Sequence, residues 1–449
     1  MIFNRVMQDQ TLLNGTVSVE KLAAYPDGHV FFVNLEWKDP NGKTILLIPD
    51  GNFRVSLIDV LARQFSATTI KELTLNKAAI SLRLSDDGSV DIISPLSSQP
   101  PSQPPPPPKP PKKNDREGKS EEELLQEGER KRDQQRQEME QEWKNFNRDG
   151  RRIAMDLVFK DCHVEVFYRN RQYLMDSVNL KMSLDTKRTA KLKADTGLLG
   201  GTMIGDGISF SGTIDFADKE IPVCDFSVFV DAVDPSSLGF GMDIHDKMTL
   251  SVHLTGEFSH LTGNGTIHMD RLRVPALDFS DVDGTILYED AMVRFDDVSA
   301  SVYDGTLKAQ GWYNIDSRYY HIEGHGTELR TKRALPKEKL FCRVQLDIRV
   351  HSEGSVQKTS YEGSFVSGEG RFQRIPFREI RGRFHNIGRK LDFYDVVIDF
   401  GGVKAMTDIV SVHSGKLMLA PISITNDAGK TIVVYNPESK DIEEHEAQK

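Results

Sequence analysis

Cysteine is scarce in this chain, which has three in 449 residues, at positions 162, 224 and 342. Because the three are odd in number and far apart, they predict neither a disulfide framework nor a paired-cysteine metal site. We therefore expect three small side chains that contribute to packing. They give no indication of a metal or a cofactor.

Long apolar runs are also lacking. No segment approaches the roughly 18 consecutive apolar residues of a transmembrane helix, and the start of the chain has no apolar run as long as that of a secretory signal. An excess of basic residues is missing as well: the net charge is −10 at pH 7, which disfavours nucleic-acid binding. Apolar residues still make up 38% of the chain, enough to bury a core and to exclude wholesale disorder.

Catalytic signatures are missing too. The glycine-rich segment Gly200–Gly207 lacks the Gly-Lys-Ser/Thr ending of a phosphate loop, so it predicts a turn. The aspartates around Asp283 and Asp296 are predicted to lie at turns, where this residue type stabilises the backbone. No Gly-x-Ser-x-Gly motif occurs. Four histidines lack the spacing of a helical zinc site: His245, His253, His260 and His268. We therefore expect a protein that is not an enzyme and that binds no metal.

Composition divides the chain into four parts, with boundaries at 1–94, 95–150, 151–435 and 436–449. The last part is a short polar tail. Residues 95–150 are an insertion, which contains the unbroken proline run Pro104–Pro108. Such a run favours extended polyproline II, so we interpret it as a stiff spacer rather than as a ligand for a proline-binding domain.

The insertion ends in a predicted polar linker helix. Ser120 and Glu123 have the spacing of a capping box, and mixed charge covers most of the segment that follows. Its few large apolar residues include Trp143 and Phe146, which we expect to dock the last turn. The apolar side is too narrow for a helix that lies in a membrane surface.

Residues 1–94 are predicted to form strands and one short helix, which starts near Ser56. In the last of these strands, Ile80 and Leu82 alternate with Ser81 and Arg83. This alternation is typical of a half-buried strand with a polar outer face.

From residue 151 onward the hydrophobic pattern repeats every two residues, most clearly between Leu340 and Val350. Successive side chains of a strand face opposite sides, so each segment has one apolar and one polar face. Since no helix of ten or more residues is predicted between the strands, the crossovers of a parallel sheet are excluded and an antiparallel meander is expected. The residues that represent the apolar face are Phe210, Ile214, Phe216, Phe229, Leu307, Tyr313, Ile315, Val344, Leu346, Ile348 and Phe372.

The chain also contains a degenerate internal repeat. The segment RVPALDFSDVDGTI is echoed by QRIPFREIRGRF, with Gly284 and Gly382 in equivalent positions. The same spacing relates Phe295-Asp-Asp-Val to Phe393-Tyr-Asp-Val. A module used twice favours a sheet that is extended by repetition over a single closed globule.

These residues are similar to a known family. Leu261–Asp316 resembles the repeat unit of AsmA-like and TamB-like proteins of the bacterial envelope, and the stretches LLNGTVSVEKLAAYP and IKELTLNKAAISLRL resemble that family's opening module. The resemblance covers about two thirds of the chain. It implies a mainly β fold: a long, bent, antiparallel, repetitive sheet that forms an open apolar groove, with a short helix near the N-terminus.

The resemblance also implies a function. Members of the family are anchored in the inner membrane of diderm bacteria, extend into the periplasm, and are implicated in phospholipid transport to the outer membrane. We therefore expect non-enzymatic phospholipid binding and transfer, with the residues of the apolar face lining the groove. In contrast to the family, we interpret this chain as starting inside the first module, with the membrane anchor absent from it, and it is shorter than the bridge-forming members.

Two other interpretations remain open. The protein could be a periplasmic scaffold that assists outer-membrane protein assembly by pairing with a free sheet edge, and its partners would then be outer-membrane assembly proteins. It could instead be a surface adhesin, in which case the same apolar residues would form the closed core of an ordinary β-sandwich. An open apolar face favours the lipid interpretation, and a closed, dry core favours the adhesin.

Overall fold

The structure is a computed structural model of the chain. It describes residues 16–38, 42, 44–62, 69–84, 90–93, 119–148, 152–168, 171–217, 221–238, 244–274, 277–334, 339–354, 358–387, 390–413, 416–436 and 441–444. The proline run and Phe146, about which predictions were made above, lie outside the residues whose side chains are described.

The chain divides into two compact units. The first unit comprises Met1–Lys119, Glu129–Gly239 and Lys247–Gly265, and the second comprises Ser120–Gly128, Phe240–Asp246 and Thr266–Lys449.

Strands account for 71% of the structure, so the fold is mainly β as predicted. The strands of residues 16–274 are β1 (Thr16–Ala24), β2 (His29–Lys38), β3 (Thr44–Val55), β4 (Ile70–Asn76), β5 (Ala79–Leu84), β6 (Val90–Ile93), β7 (Ala154–Tyr168), β8 (Arg171–Asp185), β9 (Thr189–Asp195), β10 (Leu199–Gly201), β11 (Gly207–Asp215), β12 (Val223–Val233), β13 (Met248–Glu257) and β14 (His260–Val274). Those of residues 277–444 are β15 (Leu277–Glu289), β16 (Met292–Val302), β17 (Gly305–Asn314), β18 (Tyr319–Arg330), β19 (Leu340–Phe341), β20 (Arg343–Glu353), β21 (Thr359–Ser367), β22 (Gly370–Phe372), β23 (Ile375–Phe377), β24 (Glu379–Ile387), β25 (Lys390–Asp399), β26 (Val403–His413), β27 (Lys416–Leu419), β28 (Ile422–Asn426), β29 (Thr431–Asn436) and β30 (Asp441–Glu444).

Helices are few in the described residues: α1 (Leu57–Ala62), α2 (Glu121–Arg148), α3 (Thr331–Ala334) and a 3-10 turn at Pro235–Leu238. None of these helices is both long and apolar enough to cross a membrane.

The start of α2 forms the predicted capping box. The backbone N–H of Glu123 donates to Ser120 Oγ (3.3 Å), and the Ser120 N–H donates to Glu123 Oε2 (2.8 Å). These two bonds satisfy amide groups that a helix start leaves without partners, so the local sequence fixes where the helix begins.

The sheet of the first unit is mostly antiparallel, with two exceptions. β7 pairs in parallel with both β4 and β5, whereas β7–β8, β8–β9, β9–β11, β11–β12 and β12–β13 are all antiparallel. The antiparallel meander predicted from residue 151 onward therefore joins the strands before the insertion through parallel pairs, which the sequence did not reveal. The physical reason is the long insertion between β6 and β7, which supplies the crossover length that a parallel neighbour requires.

A cluster of fully buried apolar side chains lies in the first unit. Phe32, Ile48, Leu75 and Val164 form its centre, and Cys162 packs within it with no exposed surface. These residues come from β2, β3, β4 and β7. The cluster therefore joins the strands before the insertion to those after it.

The second unit is an antiparallel meander, as predicted. Each strand from β15 to β18 pairs with the next, and the ladder continues through β20, β21, β24, β25, β26, β28, β29 and β30. β19, β22 and β23 form a separate three-stranded sheet. The alternating segment that starts at Leu340 is thus divided between two sheets.

That division occurs at Cys342. The backbone N–H and carbonyl of Cys342 bond to Thr331 instead of to a neighbouring strand. The Cys342 N–H donates to Thr331 Oγ1 (3.1 Å), and the Thr331 N–H donates to the Cys342 carbonyl oxygen (3.2 Å). A period-two pattern does not reveal such an interruption, because the alternation of side chains continues across it.

The two copies of the internal repeat carry the same irregularities. The ladder shifts register at Gly284 between β15 and β16, and it shifts at Gly382 between β24 and β25. Asp297 and Asp395, at equivalent positions of the repeat, both adopt left-handed backbone conformations, with φ of 50° and 52°. A β-bulge bends the strand locally, so the two copies of the repeat share strand geometry as well as hydrophobic pattern.

Candidate functional site

In the first unit, the predicted residues Phe210 and Ile214 share one face of β11. Phe210 lies opposite Val228 in the ladder and its ring is 4.9 Å from that of Phe226, while Ile214 lies opposite Cys224. Directly opposed residues point to the same side of a sheet. The two predicted residues are therefore half-buried members of one apolar face.

Phe216 lies directly after β11, where helix α2 packs on the sheet. Its ring stacks on that of Trp143 with 5.2 Å between centroids and 28° between planes. Nearby, Arg136 Nε donates to the carbonyl oxygen of Ser259 (3.1 Å). The predicted docking of the helix through Trp143 is confirmed.

An apolar cavity of about 470 Å³ lies at this helix–sheet contact. Its lining consists of Met139, Glu140, Trp143, Ile214, Phe216, Ile221, Pro222, Phe258 and Ser259. Its volume is within the range of small-molecule sites, about 300–1,000 Å³. Two of the residues predicted to line a groove, Ile214 and Phe216, thus border an apolar cavity.

Phe229 does not share the apolar face of its neighbours. It lies opposite Ser209 in the ladder and is 42% exposed, whereas Phe226 on the same strand is 7% exposed. On β12 the buried positions are the even ones, so Phe229 is on the polar side. The grouping of Phe229 with Phe210 and Ile214 is therefore wrong.

In the second unit, apolar side chains form continuous rows across the strands on one side of the sheet, here called the apolar face. Each row consists of residues that lie directly opposite one another in successive ladders. The rows are Phe295, Gly311, Ile322, Val350, Tyr361 and Asn386; Val298, Ala309, Gly324, Ile348, Gly363, Phe384 and Phe393; and Ala300, Leu307, Gly326, Leu346, Phe365 and Gly382. The predicted residues Leu307, Leu346 and Ile348 are brought together here, and all three are half-buried.

The remaining predicted residues lie at the margins of this face or away from it. Tyr313 (7% exposed) lies at the end of β17 and Val344 at the start of β20, both on the apolar face. Ile315 follows β17, where its N–H donates to the Ala291 carbonyl oxygen (2.8 Å). Phe372 belongs to β22 of the small sheet and is 44% exposed, so its assignment to the main apolar face is wrong.

Glycines on the apolar faces lie opposite aromatic rings. Phe384 lies opposite Gly363 and Phe365 opposite Gly382, and a methyl group added at either glycine would come within 2.8–2.9 Å of the ring. In the first unit, Phe226 lies over Gly212 in the same way. A ring that covers a glycine of the neighbouring strand stabilises the sheet and lies flat on it. The sequence alone did not reveal these pairs, because they depend on strand register.

The opposite, polar face of the second unit carries charges that pair across the strands. Arg349 lies between Glu323 (3.4 Å) and Glu362 (3.8 Å), and His325 contacts Asp347 (2.6 Å). A cavity of about 1,230 Å³ on this face is lined by these residues together with Lys308 and Arg383, among others. Since its charges are paired and solvated, we interpret this region as a solubilising surface.

The thiols of Cys162 and Cys224 are buried and contribute to packing. Burial raises the pKa of the Cys224 thiol to about 11, and burial likewise raises the pKa of Cys162. At neutral pH both thiols therefore remain protonated, whereas a reactive cysteine requires the thiolate.

Comparison with known proteins finds no match among protein-family models, curated proteins or solved structures.

Proposed function

We propose that this protein binds phospholipids non-enzymatically on the apolar face of its β-sheet and transfers them between the inner and outer membranes of a diderm bacterium. The observation that carries the proposal is the set of continuous apolar rows in the second unit. Leu307, Leu346, Ile348 and Phe365 remain half-buried there, so their surfaces are not fully covered within the described chain. Contiguous apolar surface that the chain leaves partly exposed favours a bound apolar ligand.

The free energy of moving a lipid tail from a bilayer to the apolar face is expected to be small. A methylene that leaves the bilayer for water costs about 0.8 kcal/mol, and contact with an apolar face offsets that cost. A lipid tail on the rows around Ile348 would therefore exchange one apolar environment for another. Tight binding is not required, and a free energy of transfer near zero suits a protein that both takes up and releases lipid.

Replacing Leu346 by aspartate tests the proposal. Leu346→Asp places a charge in the middle of a row, and we expect the variant to lose co-purifying phospholipid. The matched control is Gln345→Asp, because Gln345 is the neighbouring residue on the same strand but faces the polar side. Native mass spectrometry with lipid extraction, on protein expressed in a diderm host, measures bound lipid for both.

Folding of both variants is verified by circular dichroism. Lipid loss in Leu346→Asp but not in Gln345→Asp would support the proposal. A folded parent protein that carries no phospholipid would reject it.

The proposed location is the periplasmic side of the cell envelope. Its support is the resemblance of Leu261–Asp316 to AsmA-like and TamB-like repeats. Fractionation of cells that produce the tagged full-length gene product tests this location. Recovery in the cytosolic fraction would contradict it.

A further inference from the structure

A small β-hairpin of the second unit holds its side chains in solvent. It consists of β22 and β23, and β22 also pairs with β19. Every residue from 371 to 376 is exposed. The base of the hairpin is fixed, since Phe377 is 4% exposed and the backbone N–H of Gln373 donates to the carbonyl oxygen of Lys339 (2.7 Å). The hairpin is therefore an anchored element whose tip extends from the small sheet.

One face of this hairpin is apolar. By register, Phe372 lies opposite both Leu340 of β19 and Ile375 of β23, so the three side chains form a row across the small sheet. Phe372 is 44% exposed and Ile375 is 56% exposed. Contiguous exposed apolar side chains with a polar rim mark a surface that contacts another molecule or a membrane.

The same segment is strongly basic. Residues 371–383 contain five arginines and a single acidic residue, Glu379, in a chain whose net charge is −10. The guanidinium of Arg371 lies 4.4 Å from the centre of the Phe341 ring, and Lys332 Nζ lies 5.6 Å from the same ring. Both cations are attracted by the ring, which holds positive charge beside the hairpin. A surface of one charge sign attracts a partner of the opposite sign.

The arginines of the hairpin differ from others of this unit in their partners. Arg330 and Arg333 both contact the carboxylate of Asp304, at 3.3 and 3.1 Å. Arg371 and Arg374, in contrast, form no ion pair with any residue that the structure describes. Their charges are therefore not neutralised by the fold and can pair with an external anion.

We propose that the hairpin of β22 and β23 docks the protein on the surface of an anionic phospholipid bilayer. Phe372 and Ile375 insert at the boundary between head groups and acyl chains, and Arg371 and Arg374 contact lipid phosphates. An acidic polypeptide or a nucleic acid would also attract the arginines. A hairpin tip, however, has no concave surface that would enclose such a chain, whereas a bilayer surrounds whatever is inserted into it.

This inference goes beyond the proposed function, because docking through the hairpin does not require a lipid on the apolar face of the main sheet. Co-sedimentation of the full chain with vesicles tests it. The vesicles are an equal mixture of phosphatidylcholine and phosphatidylglycerol, and phosphatidylcholine alone is the neutral comparison. We expect binding to the mixture only, and added salt should weaken it because exposed charges are screened.

Two substitutions separate the contributions of charge and of apolar insertion. Arg374→Ala should weaken binding about fivefold, the effect of one basic residue near an anionic surface. Ile375→Ser should weaken it about tenfold, because the variant has no large apolar side chain to insert at that position.

The matched controls are exposed residues of the same types in the first unit. Arg188 lies in the turn between β8 and β9, and Ile204 is 54% exposed between β10 and β11. Arg188→Ala and Ile204→Ser should bind the vesicles as the parent chain does. Circular dichroism verifies the fold of all four variants.

Equal binding of the parent chain to neutral and anionic vesicles would overturn this inference. Ile375→Ser that binds as tightly as the parent would also overturn it, since attraction of the arginines alone would then suffice. Binding of polyglutamate or of a single-stranded oligonucleotide in place of vesicles would identify another class of partner. A parent chain that carries co-purified phospholipid but does not bind vesicles would overturn the inference and leave the proposed function intact. A chain that binds vesicles without co-purified phospholipid would do the reverse.

Discussion

Replacing Gly363 by alanine tests the pairing of glycines with aromatic rings. The added methyl group would fall on the Asp347 carbonyl oxygen of β20 and come within 2.8 Å of the Phe384 ring of β24. Gly363 is held on both sides, by the ladder with β20 and by that with β24. Neither neighbour can move without breaking backbone hydrogen bonds, so the clash cannot be relieved cheaply.

We expect Gly363→Ala to lower the free energy of unfolding by about 1–3 kcal/mol, the usual cost of overpacking. The lower conformational entropy of alanine in the unfolded chain offsets only about 0.5–1 kcal/mol of the strain. Gly368→Ala is the matched control, because its methyl group meets no atom within 4 Å. Its effect should be neutral or slightly stabilising.

Urea unfolding followed by circular dichroism measures both variants. The double variant Gly363→Ala with Phe384→Leu adds a second readout, since removal of the ring should recover part of the loss and give a measurable coupling energy. If Gly363→Ala and Gly368→Ala had the same free energy of unfolding, the strand register on which the apolar rows depend would be refuted.

Two further predictions concern the ion pair between Asp246 and Arg273 and the contact of helix α2 with the sheet. Hydrogen bonds from Arg273 hold the pKa of Asp246 below its ordinary value, so their stabilisation is present above about pH 4 and is lost as the pH falls through the folded-state value. Asp246→Asn should therefore cost about 1 kcal/mol at pH 7 and progressively less as the pH falls through the folded-state pKa; urea unfolding across this acidic range checks this, and a pH-independent cost would contradict it. Trp143→Ala should destabilise the packing of α2 by about 2 kcal/mol, because the indole stacks on Phe216. Faster protease cleavage within α2, with the exposed Lys144→Ala as control, would show it, and unchanged cleavage would count against the docking.

The features that the sequence predicted are those set by local pattern. Alternation at Leu346 and Ile348 places both on one face because the period of a strand is two. The capping box at Ser120 and Glu123 depends only on residues three apart, so it is readable without the fold. The internal repeat likewise needs only the spacing of Gly284 and Gly382.

The features that the sequence missed depend on contacts between distant residues. Phe229 follows an apolar pattern but faces the polar side, because the register of β12 with β11 decides which positions are buried. Ser81 was expected on a polar outer face, yet it is 1% exposed and its hydroxyl donates to the buried Glu165 (2.7 Å). That contact exists only because β5 and β7 pair in parallel across the long insertion.

The paired glycines and aromatic rings connect the fold with the proposed function. A side chain at Gly363 or Gly382 would lift the opposing ring away from the sheet, and the rows of the apolar face would become uneven. With glycine there, the rings of Phe384 and Phe365 lie over the neighbouring strand. A smooth apolar surface offers lipid tails many contacts of similar strength. A change at Leu346, in the middle of a row, should therefore alter how much lipid binds, whatever its head group.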